Sequence, residues 1–341
     1  MNAPAGKVLL ALAIGGAGGY LFSLLRLPLP WMLGPMAFCT VAALLRAPIA
    51  PPARIRPYMV MVLGIMLGSG FTPAMLGRAG EWLVSLALLF AYIAVTAALA
   101  LPYFLKVARF DPVTAFFCAM PGGFNEMVMA GTDLGGDERR IALIHASRVL
   151  LVVFAVPLWL QLSGDLAVIN RSTLGVGLAD ATAGGLLLLA ACGAVGWPIA
   201  ARLGLPAAAL VGPMLASAAL HLTGLTASQP PREIVNLAQL FIGTTVGCRF
   251  IGTGTREVLH ALAAGTGMTA IMLSVSAAFG LLVAPLAGVP FPVAILAFAP
   301  GGLALGVDTA FIATHHIVRI FLVISLALPA FRLLLRRRRR P

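Results

Sequence analysis

An acidic side chain in an apolar stretch is the first sign of chemistry in this sequence. Glu126 follows the triplet Pro121-Gly122-Gly123 and stands beside Asn125, in a segment with few other charges. A charged group at the centre of a bilayer costs about 2.5–3.5 kcal/mol on insertion scales, so an acid there is a functional candidate. We expect Glu126 to carry a coupling proton or bind an ion. The alternative is that it reaches the interface or neutralises Arg148.

Two histidine-arginine pairs form the second candidate group. His145 and Arg148 are three residues apart, as are His316 and Arg319, and this spacing places each pair on one face of a helix. An anionic substrate group or an internal acid would explain a buried arginine. The alternative is a guanidinium that extends from a helix end to water.

The Pro-Gly-Gly triplet occurs twice, and the copies are 179 residues apart: Pro121-Gly122-Gly123 and Pro300-Gly301-Gly302. Non-helical backbone at membrane depth is tolerated where protein buries it or where it lines a polar cavity. Paired broken segments in two repeats indicate the substrate site of a transporter, and their helix ends can bind ions. The alternative is a tight turn between two spans.

Neither a metal site nor a cofactor site is indicated by the sequence. The four cysteines lie in apolar stretches without metal-ligand spacing, so we expect buried thiols, no metal, no cofactor and no enzyme activity. The predicted substrate- or ion-binding residues are those of the two triplets and the polar groups beside them: Pro121, Gly122, Gly123, Asn125, Glu126, His145, Arg148, Pro300, Gly301, Gly302, Asp308, His316 and Arg319.

These residues lie on an internal repeat. Gly34-Pro35-Met36 matches Gly212-Pro213-Met214 at an offset of 178, and Gly64 matches Gly243 at 179. After the triplets the offset falls to 171, where Asp137, His145 and Arg148 meet Asp308, His316 and Arg319, so the second half lacks eight residues. Ordered matches of this kind predict a duplication. We predict a first membrane repeat at 1–165, a linker at 166–180, a second repeat at 181–335 and a basic tail at 336–341.

Composition identifies the solvent of these repeats as lipid. Of 341 residues, 60% are hydrophobic and 10% charged, and the mean hydropathy is +1.01, which excludes a soluble domain. The formal charge of +12 is spread over short loops and the run Arg336–Arg340, a pattern of topology signals and lipid contacts. We predict the lipid bilayer and a small-molecule solute as partners, and no direct contact with nucleic acid. Homo-oligomerisation stays open.

Each half contains six apolar stretches, which in the first half are residues 8–25, 29–45, 57–76, 82–105, 113–132 and 141–162. If all six span, loop Lys and Arg residues divide 14 to 7 between the faces; if the fifth stretch is re-entrant, they divide 17 to 4. The second division obeys the positive-inside rule better. We therefore predict an all-α integral membrane protein of 10–12 membrane segments. Its two inverted repeats have about five spans and one re-entrant segment each, and both termini are cytoplasmic.

At these motifs the chain resembles the membrane AbrB family, which is also labelled as AbrB family transcriptional regulators and as ammonia monooxygenases. The resembling segments are PWMLGPM at 30–36, PGGFNEM at 121–127, VGPM at 211–214 and ATHHIVR at 313–319. The resemblance covers nearly the whole chain. It implies a bacterial inner-membrane protein, and one member of the family is described as a regulator of gene expression.

One departure from the family is chemically important. The family's second Pro-Gly-Gly is commonly followed by its own acid and methionine, whereas Gly302 here is followed by Leu303-Ala304-Leu305-Gly306. This departure argues against a symmetric site with two acids.

Three functions compete at this stage. A secondary transporter for a small, anionic or proton-coupled solute explains the duplication, the broken segments and the intramembrane charges together. A membrane regulator would have to act through a partner, since the sequence offers no DNA-binding or signalling module. Ammonia oxidation would need a redox metal on clustered His or carboxylate ligands, which the sequence lacks. The identity of the solute and of the coupling ion stays open.

Overall fold

The computed structural model of the protein describes residues 4–73, 79–162, 176–299 and 309–338. Over these ranges the chain is helical and contains no strand. The helices are α1 (Ala5–Leu24), α2 (Pro30–Leu44), α3 (Arg56–Gly68), α4 (Trp82–Pro102), α5 (Pro112–Ala119), α6 (Phe124–Asp133), α7 (Glu138–Leu162), α8 (Ala183–Arg202), α9 (Ala208–Leu222), α10 (Arg232–Gly247), α11 (Thr255–Ala287), α12 (Phe291–Phe298) and α13 (Thr309–Arg338).

Several helices have the length and composition of membrane spans. In the described part of the chain, six are long and apolar enough to cross a bilayer: α1, α4, α7, α8, α11 and α13. These helices indicate a membrane protein, and the all-helical prediction is confirmed. Helices α2, α3 and α9 are apolar but shorter.

The predicted stretch at 113–132 is two short helices separated by the first Pro-Gly-Gly. Helix α5 has eight residues, or about 12 Å at 1.5 Å per residue, and cannot cross a hydrocarbon core of about 30 Å. Met120, directly after α5, has extended backbone (ψ 130°), and Ala299 has the same conformation (ψ 134°) directly after the eight-residue α12. Both helices therefore end where the triplets begin.

The start of α5 is fixed by its own sequence. The Asp111 carboxylate accepts hydrogen bonds from the amides of Val113 (3.1 Å) and Thr114 (3.0 Å), and Pro112 occupies the first helical position. Partial burial opposes ionisation of Asp111. Hydrogen bonds from Thr114 and Val113 outweigh that effect and lower the pKa of the carboxyl below its ordinary value.

The chain forms two compact units, and each draws on both halves of the sequence. Unit 1 comprises Met1–Gly80, Val153–Gly254 and Leu303–Ala313, and unit 2 comprises Glu81–Val152, Thr255–Gly302 and Thr314–Pro341. The predicted division into 1–165 and 181–335 follows the sequence repeat. The compact units divide the chain differently.

In unit 1, glycines allow neighbouring helices to touch through their backbones. A Cβ on Gly18 of α1 would collide with the Gly34 carbonyl of α2, and one on Gly196 of α8 would collide with the Gly212 carbonyl of α9. The two contacts are related by the offset of 178 residues. Such close approach gives dispersion contacts along both backbones, which is how small residues hold helices together in lipid.

Two further helix contacts in unit 1 each join a helix of one half to a helix of the other half. Gly64 of α3 touches the Leu210 carbonyl of α9, while Gly243 of α10 touches the Met32 carbonyl of α2. The third helix of each half thus packs on the second helix of the other half. The offsets, 179 for the glycines and 178 for their partners, match those of the sequence repeat.

Unit 2 contains both broken segments and an aromatic core. The Tyr92 ring of α4 lies edge-on to Phe298 at the end of α12 (5.4 Å) and to Phe279 of α11 (5.7 Å). On α7, Ser147 donates a hydrogen bond to the Ala261 carbonyl of α11 (3.2 Å). Segments from both halves thus meet in one core.

Candidate functional site

Arg148 joins α7 to the first helix break. Its guanidinium donates to the Gly122 carbonyl (2.9 Å) and to the Met120 carbonyl (3.4 Å), and the residue is only 3% exposed. These carbonyls follow the last turn of α5, which the helix dipole makes negative. Arg148 therefore neutralises a helix end inside unit 2.

Arg319 does the same at the second break. From α13 it donates to the carbonyl of Phe298, the last residue of α12, at 2.7 Å, and it is 4% exposed. The structure thus brings both predicted arginines to broken segments of their own halves. Both arginines bind a backbone carbonyl, whereas the sequence led us to expect an anionic substrate group or an internal acid.

The positive charge of this site has no acidic counterpart among the described residues. No Asp or Glu in those ranges pairs with Arg148 or Arg319, and the Nε atom of each has no hydrogen-bond partner there. Both guanidinium groups belong to unit 2. Two buried cations with unused donors form a site suited to an anion.

Tyr92 completes the site, although the sequence reasoning missed it. This buried residue packs on Phe298, whose carbonyl binds Arg319, and its hydroxyl oxygen accepts a hydrogen bond from Ser276 (3.3 Å). Thr96, one turn further along α4, is also buried, and its hydroxyl has no partner in the described ranges. A neutral hydroxyl in an apolar span carries no charge and follows no sequence spacing from which a site could be predicted. The only available signal was a tyrosine in the middle of a span.

The histidines hold helices together. His145 Nε2 lies 3.0 Å from the Phe117 carbonyl of α5 and, because a carbonyl only accepts, carries the proton of that bond. His315 Nε2 lies 2.9 Å from the Ser85 hydroxyl of α4. His316 of α13 is also buried. Because His315 and His316 are adjacent on one helix, their side chains point about 100° apart.

Glu126 lies in the first turn of α6, where a carboxylate is favoured by the helix dipole. It is half-buried, its carboxylate lies against Gly123, and it forms no ion pair with any described residue. The alternative that it neutralises Arg148 is therefore not supported. Around it, Pro121 and Gly122 are buried, and Gly122 packs on Met127 and Val323.

The remaining predicted residues are placed only in part. Asn125 lies in α6, but its side chain is outside the described part of the structure, and so are Pro300, Gly301, Gly302 and Asp308. The second triplet is therefore represented by the residues that precede it, Phe298 and Ala299. In the described ranges, no three His, Cys, Asp or Glu side chains are grouped to hold a metal, and the four cysteines are buried free thiols.

These features define a class of helical membrane protein in which two short helices each end at a break, and a buried arginine binds a carbonyl at each break. The chain belongs to the AbrB family, since the family model described as "Transition state regulatory protein AbrB" matches residues 31–335. It is 28% identical to "Uncharacterized protein YhjN" of Bacillus subtilis, over 96% of this chain and 93% of that protein. It is 26% identical to "Putative regulator AbrB" of Escherichia coli, over 89% of each chain. No solved structure matches it significantly.

Proposed function

We propose that this protein is a secondary transporter of the bacterial inner membrane that moves a small anionic solute. The observation that carries the proposal is the pair of buried arginines, one from each half, at the ends of two broken helices. Both belong to unit 2, and in this proposal each half contributes one arginine to the site. Broken helices of this kind are typical of transporter substrate sites.

Charge selects the class of solute. In the described ranges Arg148 and Arg319 bind backbone carbonyls and no acid, so neither positive charge is balanced there. A bound anion would balance these charges and accept hydrogen bonds from the two Nε atoms, which have no partner among the described residues. Binding of an anion would therefore stabilise the site in unit 2.

Proton coupling is assigned to Glu126. It is the acid next to the first break, and it lies half-buried in the first turn of α6. In the second half Gly302 is followed by Leu303-Ala304-Leu305-Gly306, without an acid at the position of Glu126, so the two halves contribute unequally. One protonation site is enough to couple one proton to each transported anion.

The predicted inverted repeat would fit the same function. The exchanged contacts of Gly64 with Leu210 and of Gly243 with Met32 are those expected of two halves related by an internal two-fold axis. Transporters with inverted repeats alternate access by moving one bundle against another around such a site.

The test is uptake into proteoliposomes, with a panel of labelled small carboxylates, phosphates and neutral amino acids, and with or without an inward proton gradient. We expect uptake of an anion that rises with the gradient and is lost in Arg319→Lys. The matched control is Arg54→Lys, at an exposed arginine outside unit 2. Anion uptake equal to that of protein-free vesicles would refute the proposal.

A regulatory role is the second candidate, favoured by the name of the Escherichia coli relative, "Putative regulator AbrB". Such a role would act through a partner, and transport would be incidental to it. Expression profiles of a deletion strain complemented with wild type or with Arg319→Lys separate the two candidates. Restored expression by a variant that does not transport would favour the regulator.

A further inference from the structure

A second basic site lies in unit 2, apart from the buried arginines. A cavity of about 490 Å³ is lined by Arg109 and Phe110 before α5, by residues at the start of α7 and by residues at the start of α11. Its charged lining residues are Arg109, Arg139, Arg140, Arg256, Asp137 and Glu257. This volume is that of a small-molecule site.

Ion pairs account for half of this positive charge. Arg139 of α7 pairs with Glu257 of α11 (2.9 Å), and Arg140 pairs with Asp137 (3.1 Å) while its guanidinium covers the Phe110 ring. These contacts hold the starts of the two helices around the cavity. They also fix the positions of two of the four arginines.

The other two arginines are uncompensated. Arg109 and Arg256 line the same cavity, and neither pairs with an acid in the described part of the chain. The two charges add to the positive ends of the dipoles of α7 and α11, which have 25 and 33 residues. The net positive charge of the described lining equals that of two guanidinium groups, which matches a dianion.

The backbone at Arg109 allows its side chain to be removed without strain. Arg109 has φ 54°, a left-handed conformation that costs a residue with a Cβ but not glycine. The second half has Gly288 (φ 59°) at the equivalent position, 179 residues later. Arg109→Gly therefore removes a side chain that lines the cavity and keeps a backbone that glycine adopts readily.

We propose that this cavity binds a phosphate dianion, with Arg109 and Arg256 as its principal ligands and the starts of α7 and α11 as its electrostatic support. Paired guanidinium groups suit phosphate because they can donate in parallel to two of its oxygens. A free phosphorylated metabolite and the headgroup of phosphatidic acid present the same group. Both fit the chemistry of the site.

The test is calorimetric titration of inorganic pyrophosphate into the full-length protein in phosphatidylcholine nanodiscs at constant ionic strength. We expect saturable binding that Arg109→Gly and Arg256→Gln each weaken by roughly tenfold, the loss expected for one charge-assisted contact. The matched control is Arg46→Gly, which removes an arginine with the same left-handed backbone (φ 58°) in unit 1. Glycine suits that backbone, so Arg109→Gly keeps the fold.

A second arm identifies the source of the phosphate. Phosphatidic acid in the nanodiscs weakens pyrophosphate binding if the lipid headgroup occupies the cavity, and leaves it unchanged if the ligand is a free metabolite. Either result supports a phosphate site once the arginine variants behave as expected. Absence of saturable binding, or equal weakening by Arg46→Gly, would overturn the proposal.

Discussion

At the residue scale, the buried arginines act on the backbone. Arg148 and Arg319 bind carbonyls for which the described residues supply no backbone amide donor, and unpaired carbonyls are costly away from water. Their low exposure argues against a guanidinium that simply reaches solvent from a helix end. The arginines thus offset the free-energy cost of the unpaired carbonyls at the breaks. They also make the site positively charged.

Arg148→Lys tests this dual role. Lysine keeps the charge but lacks the planar fork whose two terminal nitrogens donate to the Gly122 and Met120 carbonyls, and a lost hydrogen bond to a charged group is worth about 1.5–3 kcal/mol. We expect uptake to fall by about tenfold or more, with normal membrane insertion and a lower melting temperature. Uptake and thermal unfolding of purified protein measure both effects. Wild-type behaviour of Arg148→Lys and Arg319→Lys would refute the role.

Glu126→Gln tests proton coupling. Glutamine mimics the protonated acid and fits the same position at the start of α6, so we expect the fold and anion binding to persist while uptake loses its dependence on pH. Uptake is measured across a pH series for wild type, Glu126→Gln and the exposed control Glu138→Gln. An unchanged pH profile in Glu126→Gln would make this acid structural and would favour the regulatory candidate.

At the element scale, the sequence predicted the helices closely and the first break correctly. The expected stretches 29–45 and 82–105 became α2 and α4, because apolar runs of that length have no other stable form in lipid. Pro121-Gly122-Gly123 separates α5 from α6, as its composition predicts. The partners of the arginines were not predictable, because carbonyl positions depend on tertiary packing.

The topology of the broken segment is tested by cysteine labelling. Arg109 and Asp137, which flank α5 and α6, line the same cavity, and the Thr114 hydroxyl accepts a hydrogen bond from the Asp137 amide (2.8 Å). We therefore expect Ala108→Cys and Glu138→Cys to react with an impermeant maleimide from the same, cytoplasmic side. The native cysteines are buried and contribute little background. Arg232→Cys is the control, with labelling expected from the opposite side.

Labelling of Ala108→Cys and Glu138→Cys from opposite sides would show that the segment crosses the membrane. The loop Lys and Arg residues would then divide 14 to 7 between the two faces, which supports the positive-inside assignment less strongly.

The glycine contacts of α1 give a second prediction for an element. A Cβ on Gly18 would lie 2.5 Å from the Gly34 carbonyl, whereas one on Gly16 meets nothing within 4 Å. We expect Gly18→Ala to destabilise the protein by about 1–3 kcal/mol through overpacking. Gly16→Ala should be neutral or stabilising by up to about 1 kcal/mol, because alanine favours helix. Thermal unfolding in one detergent compares them, and equal melting temperatures would contradict the backbone contact.

At the scale of the whole molecule, the sequence predicted a repeat but not how its copies combine. Matches at offsets of 178 and 179 predicted two membrane repeats, at 1–165 and 181–335. The compact units each contain segments of both halves, because α3 packs on α9 and α10 packs on α2. Self-comparison of one sequence finds equivalent positions. It carries no information about which of two equivalent surfaces a helix will contact.

This exchange leads to a prediction for a divided chain. If the chain is cut within the predicted linker 166–180, the first half lacks the partner of α3 and the second half lacks the partner of α10. Gly64 would then lose the Leu210 backbone, and Gly243 would lose that of Met32, so neither half can complete unit 1. We expect each half expressed alone to be degraded or to aggregate, and the two halves expressed together to co-purify through a tag on only one. The controls are the uncut chain and a co-expressed pair carrying Gly64→Leu, in which a large side chain blocks the α3–α9 contact and should reduce recovery of the untagged half. A first half that is stable and monodisperse by itself would show that the exchanged contacts are dispensable and that the repeats fold as independent domains.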